Sequence, residues 1–282
     1  MAMCPTAGAF GADPDEDGAG KSSFPNLYLD LRTSYSQVPA GTLAFGFGRP
    51  ILFNALQTLA TTSGVALPTG LPATKTLNVD FPFTVDVTDA VSLYGGVSGS
   101  STEFGSSGWS SFQVTSWNIG FQADLYQQNG GIFPTVTLQS TLTQSIPNGP
   151  LTTTSFNNII EFDYALDEDE TRGLLAGAQF THANVGSPLV RINPNTIGYV
   201  GGYYQWPNNW KFTGRVGVQS FEGAQLLNLT PIRPFTQPVV RLDLDRMDDN
   251  DNRLFGVTAE IMWLPKPAYQ LTVRTPLYAV RN

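Results

Sequence analysis

The sequence predicts an all-β fold, a closed antiparallel transmembrane β-barrel of about twelve strands. Three observations support this fold class. Apolar and polar residues alternate along many short segments, as in strands with two different faces. Short polar turns alternate with longer loops along the chain. Charged residues make up only 13% of the 282 residues, against roughly a quarter in a typical soluble domain, so much of the surface is expected not to face water.

Period-two alternation marks the strands, because successive side chains of a strand point to opposite faces. Leu27, Leu29 and Leu31 share one face of the first segment, and Asp30 and Arg32 lie on the other. A helical period would scatter such charges around the segment. The same alternation recurs at 77–87, 117–125, 136–142, 160–166, 174–180, 212–218, 240–244, 255–263 and 269–277, and more weakly near 91–98 and 199–206.

The connections alternate in length, which indicates the topology. Tight polar turns are expected at 87–90, 128–131, 167–170, 207–209 and 248–252, and longer loops near 101–112, 144–154, 183–196 and 222–237. Short turns on one side and long loops on the other are typical of outer-membrane barrels, whose short side is periplasmic. Residues 27–49 contribute one strand in the twelve-stranded count. A further strand through Leu43, Phe45 and Phe47 would raise the count to fourteen, and this alternative stays open.

The chain divides into a tail and a barrel. Residues 1–24 are rich in Gly, Ala, Asp and Ser and too polar to bury a core, so we expect a flexible N-terminal tail. Residues 25–282 form the predicted barrel. Within it, residues 50–74 are apolar enough to form either a loop folded inward or a short helix.

Composition excludes several function classes. No stretch of about 20 apolar residues occurs, so neither a transmembrane helix nor a retained signal peptide is expected, and a membrane role must use strands. Cys4 is the only cysteine, which excludes an intrachain disulfide and a cysteine-cluster metal site. The net charge of −8 and the lack of a Lys/Arg run argue against nucleic acid. We expect no cofactor and no bound metal.

The polar face of the predicted strands indicates which side is inside. It carries mostly Thr, Ser, Asn, Gln and Gly with sparse charge, which suits a lumen better than the exterior of a soluble sandwich. Trp and Tyr near strand ends are expected where an apolar band meets lipid headgroups. The predicted interface residues are Tyr35, Trp109, Tyr164, Trp206, Trp210, Trp263 and Tyr269. Aromatics packed inside a soluble sandwich are the less favoured alternative.

Two segments carry a resemblance to known proteins. The run from Phe24 to Arg32 and the run from Arg241 to Arg246 are similar to segments of uncharacterised proteobacterial barrels. Over residues 25–282 the chain resembles a Gram-negative outer-membrane barrel of the porin-like kind. The resemblance implies an outer-membrane location, insertion by the barrel-assembly machinery, and contact with membrane lipid and lipopolysaccharide. One departure is that Pro276 interrupts the last strand and no aromatic residue ends the chain.

Charged residues with the parity of the lumen are the candidate pore-lining set. They are Asp30, Arg32, Asp80, Asp86, Asp124, Glu161, Asp163, Lys211, Arg215, Arg241, Asp243, Asp245, Glu260 and Arg274. Opposite charges can pair across neighbouring strands and fill the lumen, or they can line a watery path and bias permeation. The sequence leaves both arrangements open.

Three functions follow, in order of preference. The first is a channel for passive diffusion of small solutes, with lumen charges setting selectivity. The second is a closed structural or binding barrel with an ion-paired interior and partner-binding loops. An outer-membrane hydrolase ranks last, because the sole histidine, His182, has no serine matched to it by spacing. The acidic runs 167–170 and 248–252 are better explained as solvated turns than as calcium loops, and the second lacks the Gly and distal Glu of an EF-hand.

Overall fold

A computed structural model of the protein describes residues 26–40, 47, 73–106, 108–128, 130–146, 151–226, 231–248, 253–263 and 266–280. The predicted tail at 1–24 and nearly all of the segment at 50–74 lie outside the described residues. No described helix is long and apolar enough to cross a membrane.

The described residues form fourteen strands, and twelve of them make one closed antiparallel barrel. The strands are β1 (Asn26–Val38), β2 (Thr74–Thr88), β3 (Val91–Phe104), β4 (Gln113–Tyr126), β5 (Thr135–Ser145), β6 (Thr153–Ala165), β7 (Arg172–Val185), β8 (Val190–Ile192), β9 (Asn195–Gln205), β10 (Trp210–Phe221), β11 (Ala224–Leu226), β12 (Phe235–Met247), β13 (Arg253–Met262) and β14 (Ala268–Val280). The barrel strands have 10 to 15 residues, enough for a tilted strand to cross a bilayer, which needs about 9–11. The predicted fold class is confirmed.

The barrel closes by pairing β1 with β14, from Leu27 opposite Val280 to Gln37 opposite Tyr269. Each of the remaining barrel strands pairs with the barrel strand before it and the barrel strand after it in the chain. β1 pairs directly with both β14 and β2, so the barrel has twelve strands and the fourteen-stranded alternative is not observed. Leu43 and Phe45 lie outside the described residues, and Phe47 lies in no strand. Closure leaves the sheet without an exposed edge, as a bilayer requires.

The two ends of the barrel differ. One end, here called the turn side, carries the connections at 89–90, 127–134, 166–171, 206–209 and 248–252, together with the start of β1 and the end of β14. The other end, the loop side, carries those at 39–73, 105–112, 146–152, 186–194, 222–234 and 263–267. The longest connections, 39–73 and 222–234, lie on the loop side as expected, but the predicted alternation is not strict, since 127–134 on the turn side is as long as 105–112 on the loop side.

Two loops on the loop side fold together, which the alternation did not predict. The three-residue strands β8 and β11 pair with each other outside the barrel sheet. Val190, Ile192 and Ala224 from these loops pack with Ala183 and Phe221 at the ends of β7 and β10 in one buried apolar cluster. This cluster forms a small cap on the loop-side end of those strands.

The seam around β1 contains two prolines. Pro276 pairs with Asp30, so β14 continues through the proline that was expected to interrupt it, with a register shift between Leu29 and Asp30. On the other side of β1, Pro82 of β2 pairs with Gly96 of β3. Proline donates no ladder hydrogen bond, so Pro276 weakens the pairing of β14 with β1 near Asp30, and Pro82 weakens the pairing of β2 with β3 near Gly96.

Tyrosines on the inner face lie across glycines of neighbouring strands. Tyr94 covers Gly120, where an added Cβ would lie 2.6 Å from the tyrosine oxygen. Tyr199 covers Gly177 in the same way, with 2.5 Å to its oxygen. Any side chain at these glycines would displace the ring, so the small residue on one strand fixes the large residue of the next.

Candidate functional site: the barrel lumen

The predicted pore-lining residues fall into two groups by accessibility. Seven are buried against other inner-face side chains: Arg32, Arg215, Arg241, Asp243, Asp245, Glu260 and Arg274. The other seven are partly accessible: Asp30, Asp80, Asp86, Asp124, Glu161, Asp163 and Lys211. Parity alone could not separate these groups, because it gives the face of a strand but not what covers it.

A network of buried ion pairs links β6, β10 and β12. Arg215 donates to Glu161 Oε2 at 3.1 Å and to Asp243 Oδ2 at 3.2 Å. Arg241 donates to Asp243 Oδ1 at 2.8 Å, and the Thr258 hydroxyl donates to the same oxygen at 2.5 Å. Asp243 therefore holds two guanidinium groups from adjacent strands. The side chains of Arg215 and Asp243 are only 2% and 4% exposed, so this network is paired rather than water-lined.

A second pair lies on the turn side and includes a residue that the sequence analysis missed. Arg253 donates Nε to Asp245 Oδ1 at 2.7 Å and Nη2 to Asp245 Oδ2 at 3.0 Å, which makes a bidentate pair. Gly256 leaves room for it, since a Cβ there would lie 2.2 Å from Asp245 Oδ1. A register shift between Arg246 and Met247 breaks the alternation at this point, so parity could not identify Arg253.

The turn side also carries carboxylates that reach water. Asp86 accepts a hydrogen bond from the Ser92 hydroxyl at 2.6 Å, and Asp124 accepts one from Thr137 at 2.8 Å. Asp30 lies 3.5 Å from Arg32, with 23% of the Asp30 side chain exposed. These acids are oriented by neighbouring side chains and remain partly accessible.

The loop-side half of the lumen is lined differently. Gln219 donates to Asn195 at 2.7 Å and accepts from Gln237 at 2.9 Å, which joins β9, β10 and β12. Asn157 accepts from Gln179 at 2.9 Å and from Thr181 at 2.8 Å, which joins β6 and β7. We call these six residues the amide belt. They are almost fully buried except for Asn157, which is intermediate.

One patch of the loop-side wall is apolar and holds a residue from outside the sheet. Phe47, from the connection between β1 and β2, is fully buried there. Its backbone N–H donates to Glu260 Oε1 at 2.7 Å. Its ring meets Tyr199 edge-on, with 5.0 Å between centroids and 82° between planes. The surrounding residues are Val38, Ile197, Tyr199, Val239, Met262 and Ala268, and together with Glu260 they form what we call the Phe47 pocket.

The predicted interface aromatics lie near the two ends of the barrel. Tyr35, Trp109, Trp263 and Tyr269 are on the loop side and are 40% to 50% exposed. Trp206, 41% exposed, Trp210 and Tyr164 are on the turn side. The guanidinium of Arg246 lies 5.9 Å from the centroid of the Trp210 ring, an arrangement suited to a headgroup layer. Between these ends the outer face is apolar, with Phe83 and Ile119 among its exposed residues.

His182 and the acidic turns were the candidates for a hydrolase and for a calcium site. His182 Nε2 lies 3.0 Å from Asn184 Oδ1, and neither residue supplies a nucleophile. In the turn at 166–171, Asp167 accepts a short hydrogen bond from the Thr171 hydroxyl and one from the Arg172 N–H at 3.2 Å. The described residues contain no group of His, Cys, Asp and Glu that could hold a metal ion, and 249–252 lie outside them.

Comparison with known proteins agrees with this geometry. No protein-family model matches the chain, and no curated protein matches its sequence. Among solved structures, an outer-membrane channel from Pseudomonas putida F1 aligns over 93% of this chain and 100% of its own, with a TM-score of 0.53 and 9% identity. The fold is that of a bacterial outer-membrane β-barrel. The transport unit of the autotransporter AIDA-I from Escherichia coli aligns over 97% and 95%, with a TM-score of 0.50 and 11% identity.

The likeness extends over almost the whole of both chains, so the barrel is the entire shared unit. The likeness shows a shared fold, and the apolar outer face is the surface that a membrane-spanning barrel presents to lipid. Identities of 9% and 11% describe a common fold, and function has to be argued from the lumen of this chain itself.

Proposed function

We propose that this barrel is an outer-membrane channel through which small solutes diffuse passively, and that its inner charges set the selectivity. The main supporting observation is the group of partly accessible carboxylates on the inner faces of β1, β2, β4 and β6. Nine of the fourteen candidate pore-lining residues are acidic. Carboxylates that face a watery path attract cations, so the channel prefers cations to anions.

The accessible acids, rather than the buried network, are the selectivity determinants in this proposal. Asp86 and Asp124 are partly exposed on the inner face of β2 and β4. By contrast, Asp243 is neutralised by Arg215 and Arg241 at 3.2 and 2.8 Å. A paired charge presents little net field to a passing ion, whereas an accessible carboxylate acts on it directly.

The test is ion selectivity in a planar bilayer across a KCl gradient. The double variant Asp86→Asn/Asp124→Asn should fold, because asparagine can still accept the hydrogen bonds from Ser92 and Thr137. Its permeability ratio of K⁺ to Cl⁻ should fall. Asp89→Asn, in the exposed turn between β2 and β3, removes a charge outside the lumen and is the matched control. An unchanged ratio in the double variant would remove these acids from the selectivity mechanism.

A closed structural or binding barrel is the second candidate, and a specific observation favours it. Inner-face residues of the loop-side half are almost inaccessible, with Gln219 and Val239 at 0% and Gln237 at 1%. A barrel that conducts no ions over long recordings, while giving the heat-dependent gel mobility of a closed sheet, would support this function instead.

The partners in this proposal follow from the surface and the location. We propose that the apolar outer face contacts membrane lipid and that the loop side contacts lipopolysaccharide. We further propose that the barrel-assembly machinery inserts the chain, even though β14 carries Pro276 and a register shift. Reconstitution with and without that machinery would measure the dependence directly.

A further inference from the structure

The Phe47 pocket departs from its surroundings. Other buried inner-face positions in the loop-side half carry hydroxyls and amides, such as Thr76, Ser145 and Gln219. The pocket instead brings apolar side chains from β1, β9, β12, β13 and β14 to one place. Neither a watery channel wall nor a hydrogen-bonded belt requires such a patch.

A buried carboxylate lies at the edge of this apolar patch. Glu260 is 3% exposed, and one of its oxygens accepts the Phe47 N–H. Arg241 is its register partner on β12, and that arginine also binds Asp243. A carboxylate beside apolar side chains is costly unless donors reach it, so this position selects for a group that donates a hydrogen bond.

Phe47 thus displays to the pocket a flat aromatic ring and, a few ångströms away, an N–H donor. The ring takes the edge-on position against Tyr199 and the donor takes Glu260. A free molecule with the same two features in the same order would make the same contacts.

We propose that the Phe47 pocket is a binding site for small aromatic solutes that carry a protonated amine, and that Phe47 occupies it as an intramolecular competitor. This inference deepens the proposed channel function by naming a solute class. The site lies in the loop-side half of the lumen, so the solute meets it before the charged turn side. Binding there displaces the Phe47 ring from Tyr199.

The test is calorimetric binding to the refolded full-length barrel in detergent, with phenethylamine as the probe. Phe47→Ala removes the competing ring but keeps the backbone N–H, and we expect phenethylamine to bind this variant about tenfold more tightly than the parent, because the apolar position against Tyr199 is vacated. Phenylacetate keeps the ring and reverses the charge, and butylamine keeps the amine without the ring. Both should bind at least about tenfold more weakly than phenethylamine.

Further variants assign the effect to the pocket. Adding Glu260→Gln to Phe47→Ala should abolish the preference for phenethylamine over phenylacetate. Phe156→Ala removes a phenylalanine from the outer face, where it is 45% exposed, and should behave like the parent. If Phe47→Ala does not fold, Phe47→Val vacates part of the pocket while keeping bulk, and the same order of affinities is expected.

The outcomes separate this inference from the channel function. Equal binding of the three probes, or equal gains in Phe156→Ala, would overturn the inference and leave Phe47 as an anchor only. Because calorimetry needs no conductance, a non-conducting barrel that binds phenethylamine would reject the channel and keep the site. A conducting barrel that binds the three probes equally would keep the channel function and reject the binding site.

Discussion

The two halves of the lumen achieve a polar interior by different means. On the loop side, many neutral side chains are almost fully buried and amides hydrogen-bond to one another, as in the contact of Gln219 with Asn195 and Gln237. Towards the turn side, the inner face also carries charged residues, which are either paired, like Asp245 with Arg253, or partly open to water, like Asp86. Glu260 is an acid in the loop-side half, and it has the Phe47 N–H as a donor.

The difference reflects the free energy of burial. A neutral amide can be removed from water at little net cost when both its donor and its acceptor find partners. A charge costs several kcal/mol to bury even after relaxation, and good geometry has to offset that cost. Charges are therefore left near water or locked in ion pairs, and neutral groups can fill the drier half. Four predictions test this comparison, from the largest expected effect to the smallest.

Asp243→Asn should lower the free energy of unfolding by about 3–5 kcal/mol, because it leaves buried guanidinium groups without their shared carboxylate. Arg215 and Arg241 both bind Asp243 in the wild-type barrel. Unfolding by guanidinium chloride in lipid vesicles measures the change in free energy. Asp89→Asn, in an exposed turn, should change it by less than about 0.5 kcal/mol. Similar values for the two variants would mean that water already screens the network.

Phe83→Arg should destabilise the barrel in lipid by about 2–4 kcal/mol, since it places a charge on the lipid face near the middle of β2. Phe83 is 47% exposed on the outer face. Thr84→Arg, one residue along, points into the partly accessible lumen opposite Tyr94 and should be tolerated. If both substitutions cost the same, the assignment of inner and outer faces, on which the comparison depends, is wrong.

Gln219→Leu should cost about 1–3 kcal/mol, because it leaves the acceptor of Asn195 and the donor of Gln237 buried without this partner. The double variant Gln219→Leu/Gln237→Leu should recover part of the loss by removing one of the two. Ser220→Ala, on the exposed outer face beside it, is the control. A negligible effect of Gln219→Leu in the same unfolding assay would show that water reaches the amide belt.

The smallest effect concerns the turn outside the membrane. The hydrogen bond from the Thr171 hydroxyl lowers the pKa of Asp167 below its usual range, with the Arg172 N–H contributing. A lowered carboxyl pKa stabilises the fold above the unfolded-state pKa, and this contribution is lost as the pH falls through the folded-state value. Thr171→Val should return the pKa towards normal in an NMR titration. An unshifted Asp167 in the wild-type protein would contradict this.

Period-two alternation was sufficient to predict the barrel and its twelve strands. Leu27 to Arg32 already displays it, and β1 forms there as expected. The signal is strong because each outward residue meets lipid and each inward residue meets polar neighbours, so local pattern and tertiary environment agree. The expectation failed where the pattern is interrupted, as at Arg253, and in the loops that form β8 and β11.

The tertiary structure alone decided which inner charges are buried, because that depends on what lies across the lumen. The sequence pattern assigns both Asp86 and Asp243 to the inner face of their strands, and both are aspartates. Asp243 faces Arg215 on the adjacent strand, whereas Asp86 lies near the turn side beside Ser92. Likewise, no local pattern connects Phe47 with Glu260, which lies 213 positions along the chain. Sequence periodicity is local and determines on which face of its strand a side chain lies. Closure of the barrel determines which other side chains it contacts.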